Sequence, residues 1–359
     1  MADTSEQDLN RHRAAIDALD RELLRLLSER ATHARHIGTL KAGAAAYRPE
    51  REAQILRAIQ AQNTGPLSND AVAAIFRQVM SACLALEQKL RIAYLGPAGT
   101  FSHSAVSAHF GELVDGEPYA SIDEVFRAAE SGQTDYAVVP VENSTEGAVG
   151  RTLDLMCQTP LTIVGEVRLR VQQNLLSKGT ALADVRLVYS HAQSLAQCVR
   201  WLARHLPSVA RVPVASNAEA ARRAAEEPGT SAIAGEFAAA IYDLDVLAAH
   251  IEDDPNNTTR FWVLGQQAVL PSGRDETSLV MSAQNRPGAV HALLEPFARH
   301  GVSMSRLESR PARTGLWEYL FFVDLEGHRE DAPVAAALAE LRERAPFLKL
   351  LGSYPAALF

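Results

Sequence analysis

Four short stretches hold more hydrogen-bonding groups than ordinary turns require. The run Val138-Val139-Pro140-Val141 breaks off into five polar residues, Glu142-Asn143-Ser144-Thr145-Glu146, before Gly147. Tyr189-Ser190-His191-Ala192-Gln193 repeats the pattern, with Gln197 one helical turn further on. Asn256-Asn257-Thr258-Thr259-Arg260-Phe261 leads into a third apolar run. Gly96-Pro97-Ala98-Gly99-Thr100-Phe101-Ser102 follows the apolar Ile92–Leu95. Ligands bind at the strand ends of α/β sheets, and a Gly-rich strand-to-helix turn aims backbone N–H groups at an anion. Hydroxyls and amides so gathered suit a small organic acid. The turn is not G-x-G-x-x-G, which argues against a dinucleotide site. Taken singly, Thr100 is equally a helix cap and His191 an exposed or structural histidine.

A second set is cationic. Arg13, Arg30 and Lys41 lie on one helical run, and Arg51-Glu52 opens the next. Positions 30 and 41 differ by about 20° around a helix axis, so they share a face. Each charge alone reads as solvated. Arginine forks bind carboxylates bidentately, and several cations with one carboxylate suit a dianion that also carries a hydroxyl. A straight helix sets Arg13 and Lys41 roughly 42 Å apart. Both reach one small ligand only if Arg13 comes from a partner subunit, so this module is expected to dimerise.

The elements that must position these residues fall into three parts. Leu9, Ile16, Leu19, Leu23, Leu26, Leu27 and Ile37 recur at helical spacing, predicting a helix over about 5–40. A second helix follows Pro49 to about Asn63, and a third runs from a Ser68 or Asn69 cap to Leu90. From Arg91 to about 268 strands alternate with helices, as in an α/β domain. Expected strands are Ile92–Leu95, Tyr136–Val141, Leu161–Arg170, Leu187–Ser190, Ala232–Ala234 and Phe261–Gly265. After a polar linker, Pro271 to Asp275, the order is strand Thr277–Ala283, helix Gly288–His300, strands Met304–Ser309 and Trp317–Leu325, helix Ala332–Arg344 and strand Leu348–Ser353. That βαββαβ order is the ferredoxin-like unit.

With these residues in view, the chain resembles three known families joined end to end. Residues 1–90 resemble an all-α, three-helix chorismate mutase. That resemblance implies that Arg13 of a second subunit and Arg30 hold carboxylates of chorismate. Lys41 would reach a carboxylate and the ether oxygen, Glu52 the ring hydroxyl, with Arg51, Cys83 and Glu87 also at the site. Residues 91–270, through Thr259-Arg260-Phe261 and Glu142-Asn143, resemble prephenate dehydratase. This implies an α/β bilobal fold similar to periplasmic binding proteins. Thr259 would assist the leaving hydroxyl, and Thr100, Ser102, Glu142, Asn143, Ser190, Gln197 and Arg260 would bind prephenate. Residues 275–359 resemble an α+β ACT domain. There, Gly288-Ala289-Val290 and Glu308-Ser309-Arg310 would contact phenylalanine between two such domains and so inhibit the dehydratase.

Composition narrows the classes. The chain has 359 residues, is 47% hydrophobic and carries a net charge of −8, which argues against nucleic-acid or membrane-surface partners. No apolar window reaches membrane-spanning length, and residues 1–10 lack signal-peptide character. Cys83, Cys157 and Cys198 stand far apart, which suits reduced thiols in a cytoplasm and argues against a zinc site. No metal or cofactor is expected. Three readings remain open: a bifunctional enzyme, a dehydratase whose helical part serves dimerisation, and a non-catalytic amino-acid sensor.

Glu87 generates a first test. Many relatives have glutamine there, donating to the ether oxygen, and an ionised glutamate has no proton to donate. If Glu87 takes that donor role, mutase turnover should fall with rising pH. The Glu87→Gln variant should lose that dependence, and a flat profile shared by both proteins contradicts the role.

Overall fold

The computed structural model describes residues 2–40, 47–283, 286–312 and 319–357. The helical part consists of α1 (Ala2–Leu40), α2 (Pro49–Gln62) and α3 (Asn69–Ala85). Pro49 occupies the first turn of α2, where its missing N–H costs nothing. The Ser68 hydroxyl caps α3 by accepting from the Ala71 N–H. α3 ends at Ala85, short of the expected Leu90. α1 meets α3 near its own C-terminal end, where Arg30 Nη1 donates to Cys83 Sγ at 2.8 Å and Gly38 lies against the Glu87 side chain. The earlier stripe, including Leu9, Ile16, Leu19 and Leu23, is 48% to 63% exposed in the single chain.

The middle part has two lobes. The first holds β1 (Arg91–Leu95), α4 (Phe101–Phe110), β2 (Asp115–Tyr119), α5 (Ile122–Glu130), β3 (Tyr136–Asn143), β4 (Gly147–Ala148), α6 (Gly150–Met156) and β5 (Thr162–Arg170). The second holds β6 (Asn174–Ser177), β7 (Leu187–His191), α7 (Ala192–Gln197), α8 (Val199–His205), β8 (Ala210–Val214), α9 (Asn217–Glu226), β9 (Thr230–Ala234), α10 (Glu236–Tyr242) and β10 (Asp245–Ala248). The chain then returns to the first lobe as β11 (Thr258–Gly265). The sheets run β2-β1-β3-β11-β5 and β10-β6-β9-β7-β8. Each has a parallel trio extended by antiparallel neighbours. The helical run from Ala192 to His205 is broken at Cys198 into α7 and α8.

The last part is β12 (Asp275–Ser282), α11 (Ala289–Arg299), β13 (Met304–Pro311), β14 (Tyr319–Glu326), α12 (Ala332–Arg344) and β15 (Phe347–Pro355). Its sheet runs β13-β14-β12-β15 and is wholly antiparallel. One face covers α11 and α12, and the other packs on the first lobe. Val139, Val141, Trp262 and Leu264 share one core with Val280, Phe322, Leu351 and Tyr354. Gly352 of β15 approaches the Ile163 backbone so closely that no side chain fits.

The linker is pinned rather than free. Arg57 of α2 donates to Ser272 Oγ at 2.6 Å and to the Ser272 carbonyl at 3.1 Å. Asp275 accepts from the Ser272 and Gly273 N–H groups.

Because Phe322 fills a core common to two parts, Phe322→Ala should cost roughly 3–5 kcal/mol. Calorimetry should show the first lobe and the last part weakening in one transition. Separate transitions, with the first lobe unshifted, contradict the shared core.

Candidate active site

The cleft between the lobes encloses about 370 Å³. It lies beside the two crossovers, with Val171 and Gln173 lining it from the first. The strand-end segments converge here as the polar clusters predict. Thr100, Ser102, Asn143, Gln197 and Thr259 all line the cavity, with Phe101, Phe261, Leu95 and Pro140 as apolar wall.

The central contact joins two strands. Thr259 and Asn143 face each other in the β11–β3 ladder, and Asn143 Nδ2 donates to Thr259 Oγ1 at 2.9 Å. The orientation of the amide follows from its other partners. Asn143 Oδ1 accepts from the Thr145 and Glu146 N–H groups and the Thr145 hydroxyl, so the NH₂ must point the other way. Its second hydrogen goes to Asn257 Oδ1 at 2.9 Å. Asn143 is thereby saturated. Thr259 Oγ1 accepts from it, and the threonine proton is left for the cleft.

Positive potential comes from backbone rather than side chains. The N-termini of α4, α7 and α9 all open on the cavity, through Thr100–Ser102, His191–Ser194 and Ser216–Asn217. Thr100, His191 and Ser216 each accept a first-turn N–H as caps. Each helix end carries about half a positive charge. No lysine or arginine lines the cavity among the described residues.

Several residues that sequence reading left aside complete the site. Gln173 donates to Ser194 Oγ and Gln197 Oε1, and Asn217 donates to Ser194. Gln197 Nε2 reaches Thr145 Oγ1 across the cleft at 3.5 Å. Ser216-Asn217 was legible in principle, since it follows a strand and opens a helix as Thr100–Ser102 does.

Three expected prephenate contacts lie elsewhere. Ser190 is fully buried, and its hydroxyl serves the Ile233 carbonyl and Asn217 Oδ1. Strand alternation turns Glu142 and Arg260 to the opposite face from Asn143 and Thr259. Glu142 Oε2 lies 2.8 Å from Arg306 Nε. Arg260 is bound to Glu166, Glu276, Asp324 and Tyr354.

In the helical part, Arg30 of α1 reaches Cys83 of α3, and about two turns further along α1 Gly38 lies against Glu87, just past the end of α3. Arg51 and Glu52 line a neighbouring cavity of about 150 Å³ with Ser81, Leu84 and Phe110. Burial pushes the Glu52 carboxyl up to about 7, against the pull of Arg77 at 3.6 Å. Arg13 is exposed in the N-terminal third of α1, and Lys41 lies outside the described residues. In the last part, Gly288 caps α11 at φ 74°, a conformation that favours glycine. Ala289 lines a surface cavity of about 390 Å³, while Val290 follows it in the first turn. Glu308, Ser309 and Arg310 sit on β13, where Arg310 donates to Asp154 of α6 at 3.1 Å. Among the described residues, none of Glu308, Ser309 and Arg310 lines the cavity at Ala289.

Comparison with known proteins agrees with this geometry. Residues 12–88 match chorismate mutase type II, 92–269 match prephenate dehydratase and 277–343 match the ACT domain. The bifunctional chorismate mutase/prephenate dehydratase of Neisseria gonorrhoeae is 55% identical, over 99% of both chains. The chain belongs to this bifunctional family. The enzyme of the same description from Pseudomonas aeruginosa is 50% identical over 99% of this chain and 100% of its own. The crystal structure of prephenate dehydratase from Arthrobacter aurescens in complex with L-Phe covers 75% of this chain and 90% of its own, at 35% identity and TM-score 0.70. The chain thus carries a mutase module, a bilobal dehydratase module and an ACT domain.

The Asn143 geometry predicts an order among variants. In Asn143→Asp the carboxylate can only accept, so Thr259 must turn its proton toward it. Dehydratase turnover should fall about 100-fold, the scale of a lost proton donor, and further than in Asn143→Ala. Equal turnover in the two variants contradicts the assigned direction of the bond.

Proposed function

We propose that the mutase module rearranges chorismate to prephenate and that the cleft converts prephenate to phenylpyruvate, with phenylalanine acting through the ACT domain. The observation that carries the dehydratase reading is the Thr259 hydroxyl, held by Asn143 with its proton free at the focus of three helix N-termini. Prephenate loses its ring carboxylate as carbon dioxide. The electron pair enters the ring, and the ring hydroxyl leaves with one proton as water. Aromatisation drives the step. Thr259 hydrogen-bonds the departing oxygen, and solvent makes good the proton. Helix ends bind the anionic substrate, while Phe101, Phe261 and Leu95 provide the poorly solvating wall that favours loss of a carboxylate.

The mutase step transfers no proton, so charge placement and confinement carry it. Arg30, Arg51 and Glu52 supply charged groups from one chain. The exposed apolar stripe of α1 supports a dimer in which Arg13 enters the partner's site, since exposed contiguous apolar surface of this length marks an interface. The L-Phe complex of the Arthrobacter relative supports feedback, with Gly288–Val290 and Glu308–Arg310 meeting across two ACT domains. Among the described residues no helix is long and apolar enough to cross a membrane. The wide spacing of the three free thiols supports a cytoplasmic setting.

Purified protein given chorismate should form prephenate and then phenylpyruvate, with the second product suppressed by phenylalanine. Thr259→Ala should still consume chorismate but accumulate prephenate. Phenylpyruvate formation at a near-normal rate in that variant refutes the role of Thr259. Failure of the unaltered protein to consume chorismate refutes the mutase reading.

A further inference from the structure

Two neighbouring rungs of one ladder serve two domains. Thr259 pairs with Asn143, and Arg260 pairs with Glu142 on the next rung. The first rung faces the cleft. The second faces the ACT sheet, and both of its side chains end there. Arg260 Nη2 lies 3.2 Å from Glu276 Oε2 of β12 and 3.2 Å from Tyr354 Oη of β15. Its Nη1 donates to Asp324 of β14. Its Nε donates to Glu166 of β5 at 2.6 Å, so carboxylates of both domains grip one guanidinium. Arg168 bridges the same two, reaching Glu166 at 2.6 Å and Glu276 at 3.0 Å. Glu142 holds Arg306 of β13 in an ion pair. The other cation of β13, Arg310, holds Asp154 of the dehydratase module.

This network is a costly way to glue two sheets. Glu166, Glu276 and Asp324 are all buried, and well-packed apolar residues usually hold such a face at least as firmly as ions. The shared core around Trp262 and Phe322 already does so. What the ions add is direction. Any shift of the ACT sheet is handed to Arg260 and Glu142, each one residue, or about 3.8 Å along the backbone, from Thr259 and Asn143.

We propose that Arg260 is a positioning residue for the dehydratase reaction, and that the Arg260–Glu142 rung is the link through which the ACT domain acts on Thr259 and Asn143. The second half rests on the reading of the ACT domain as a phenylalanine sensor. The first half does not, because it concerns turnover without effector.

The test uses the full-length chain and three variants. Asp324→Asn touches no part of the cleft, and Arg260→Lys is the fallback if that protein does not fold. Arg306→Met removes the ion pair to Glu142 at similar volume. Without phenylalanine, Asp324→Asn or Arg260→Lys should lower dehydratase kcat by about tenfold or more, the scale of a sub-ångström misplacement. KM should stay within about twofold, and the mutase rate of the same chain should be unchanged. Arg306→Met should keep kcat within about twofold and bind phenylalanine as the unaltered protein does in equilibrium dialysis. It should nevertheless lose at least half of the inhibition. Unchanged kcat in both Asp324→Asn and Arg260→Lys overturns the positioning role, as does a matching loss of mutase rate. Full inhibition in Arg306→Met, or inhibition lost only together with binding, overturns the link. If the unaltered protein binds no phenylalanine, the sensor reading fails and the link with it, while the kcat and KM values still decide the positioning role.

Discussion

One largely enclosed guanidinium holds the dehydratase module and the ACT domain in register. Arg260 gathers Glu166 from one module and Glu276 and Asp324 from the other. Without it three carboxylates would face each other in a dry interface. Burial and the neighbouring Glu166 already push the Glu276 carboxyl upward, against the pull of Arg260 and Arg168. Removing one member of a buried charge set generally costs about 3–5 kcal/mol, because the remaining charges lose their compensation. Tyr354 and Ser278 complete the set, with their hydroxyls 2.7 Å apart and Ser278 also bonded to Asp324. The geometry of the cleft is therefore inherited partly from a domain that never touches it.

The device depends on the two-residue period of a strand. A β-strand offers successive side chains to opposite faces, so a single tripeptide serves two masters. Thr259 faces the cleft, Arg260 faces the ACT sheet and Phe261 returns to the cleft wall. A helix cannot do this with adjacent residues, because its neighbours differ by about 100°. The same contrast bears on the mutase residues that the family resemblance implies, which lie on separate helices. Arg30 comes from α1, Arg51 and Glu52 from α2, and Cys83 from α3.

That period also sets what could be read from the sequence. Thr259 and Asn143 both line the cleft, as polar residues at the strand ends of α/β sheets commonly do. Arg260 and Glu142 were grouped with them by adjacency, and adjacency on a strand means opposite faces. Ser190 failed for another reason. Its segment does border the cleft, but its hydroxyl is consumed by Ile233 and Asn217. The strands that escaped notice include β2, β8 and β10, all sheet edges. Edge strands tolerate proline and charge, and Asp115-Gly116-Glu117-Pro118-Tyr119 and Ala210-Arg211-Val212-Pro213-Val214 carry both. The central strands β3 and β9 were legible through their apolar stretches, Tyr136–Val141 and Ala232–Ala234, although each carries polar residues at one end. The ACT order of elements was legible because each of its turns carries glycine or proline.

The absence of lysine and arginine among the described residues that line the cleft fits the chemistry better than an arginine there would. A guanidinium beside the ring carboxylate would stabilise the ionised ground state and so resist loss of carbon dioxide. Only interactions that strengthen toward the transition state accelerate the step. Helix ends supply a diffuse positive potential that retains an anion without forking one carboxylate. Hydroxyl and amide donors can then tighten on the departing oxygen as its charge grows. The chain places its arginines where a permanent charge is an advantage: behind the cleft at Arg260, and in the mutase module, where no carboxylate is lost.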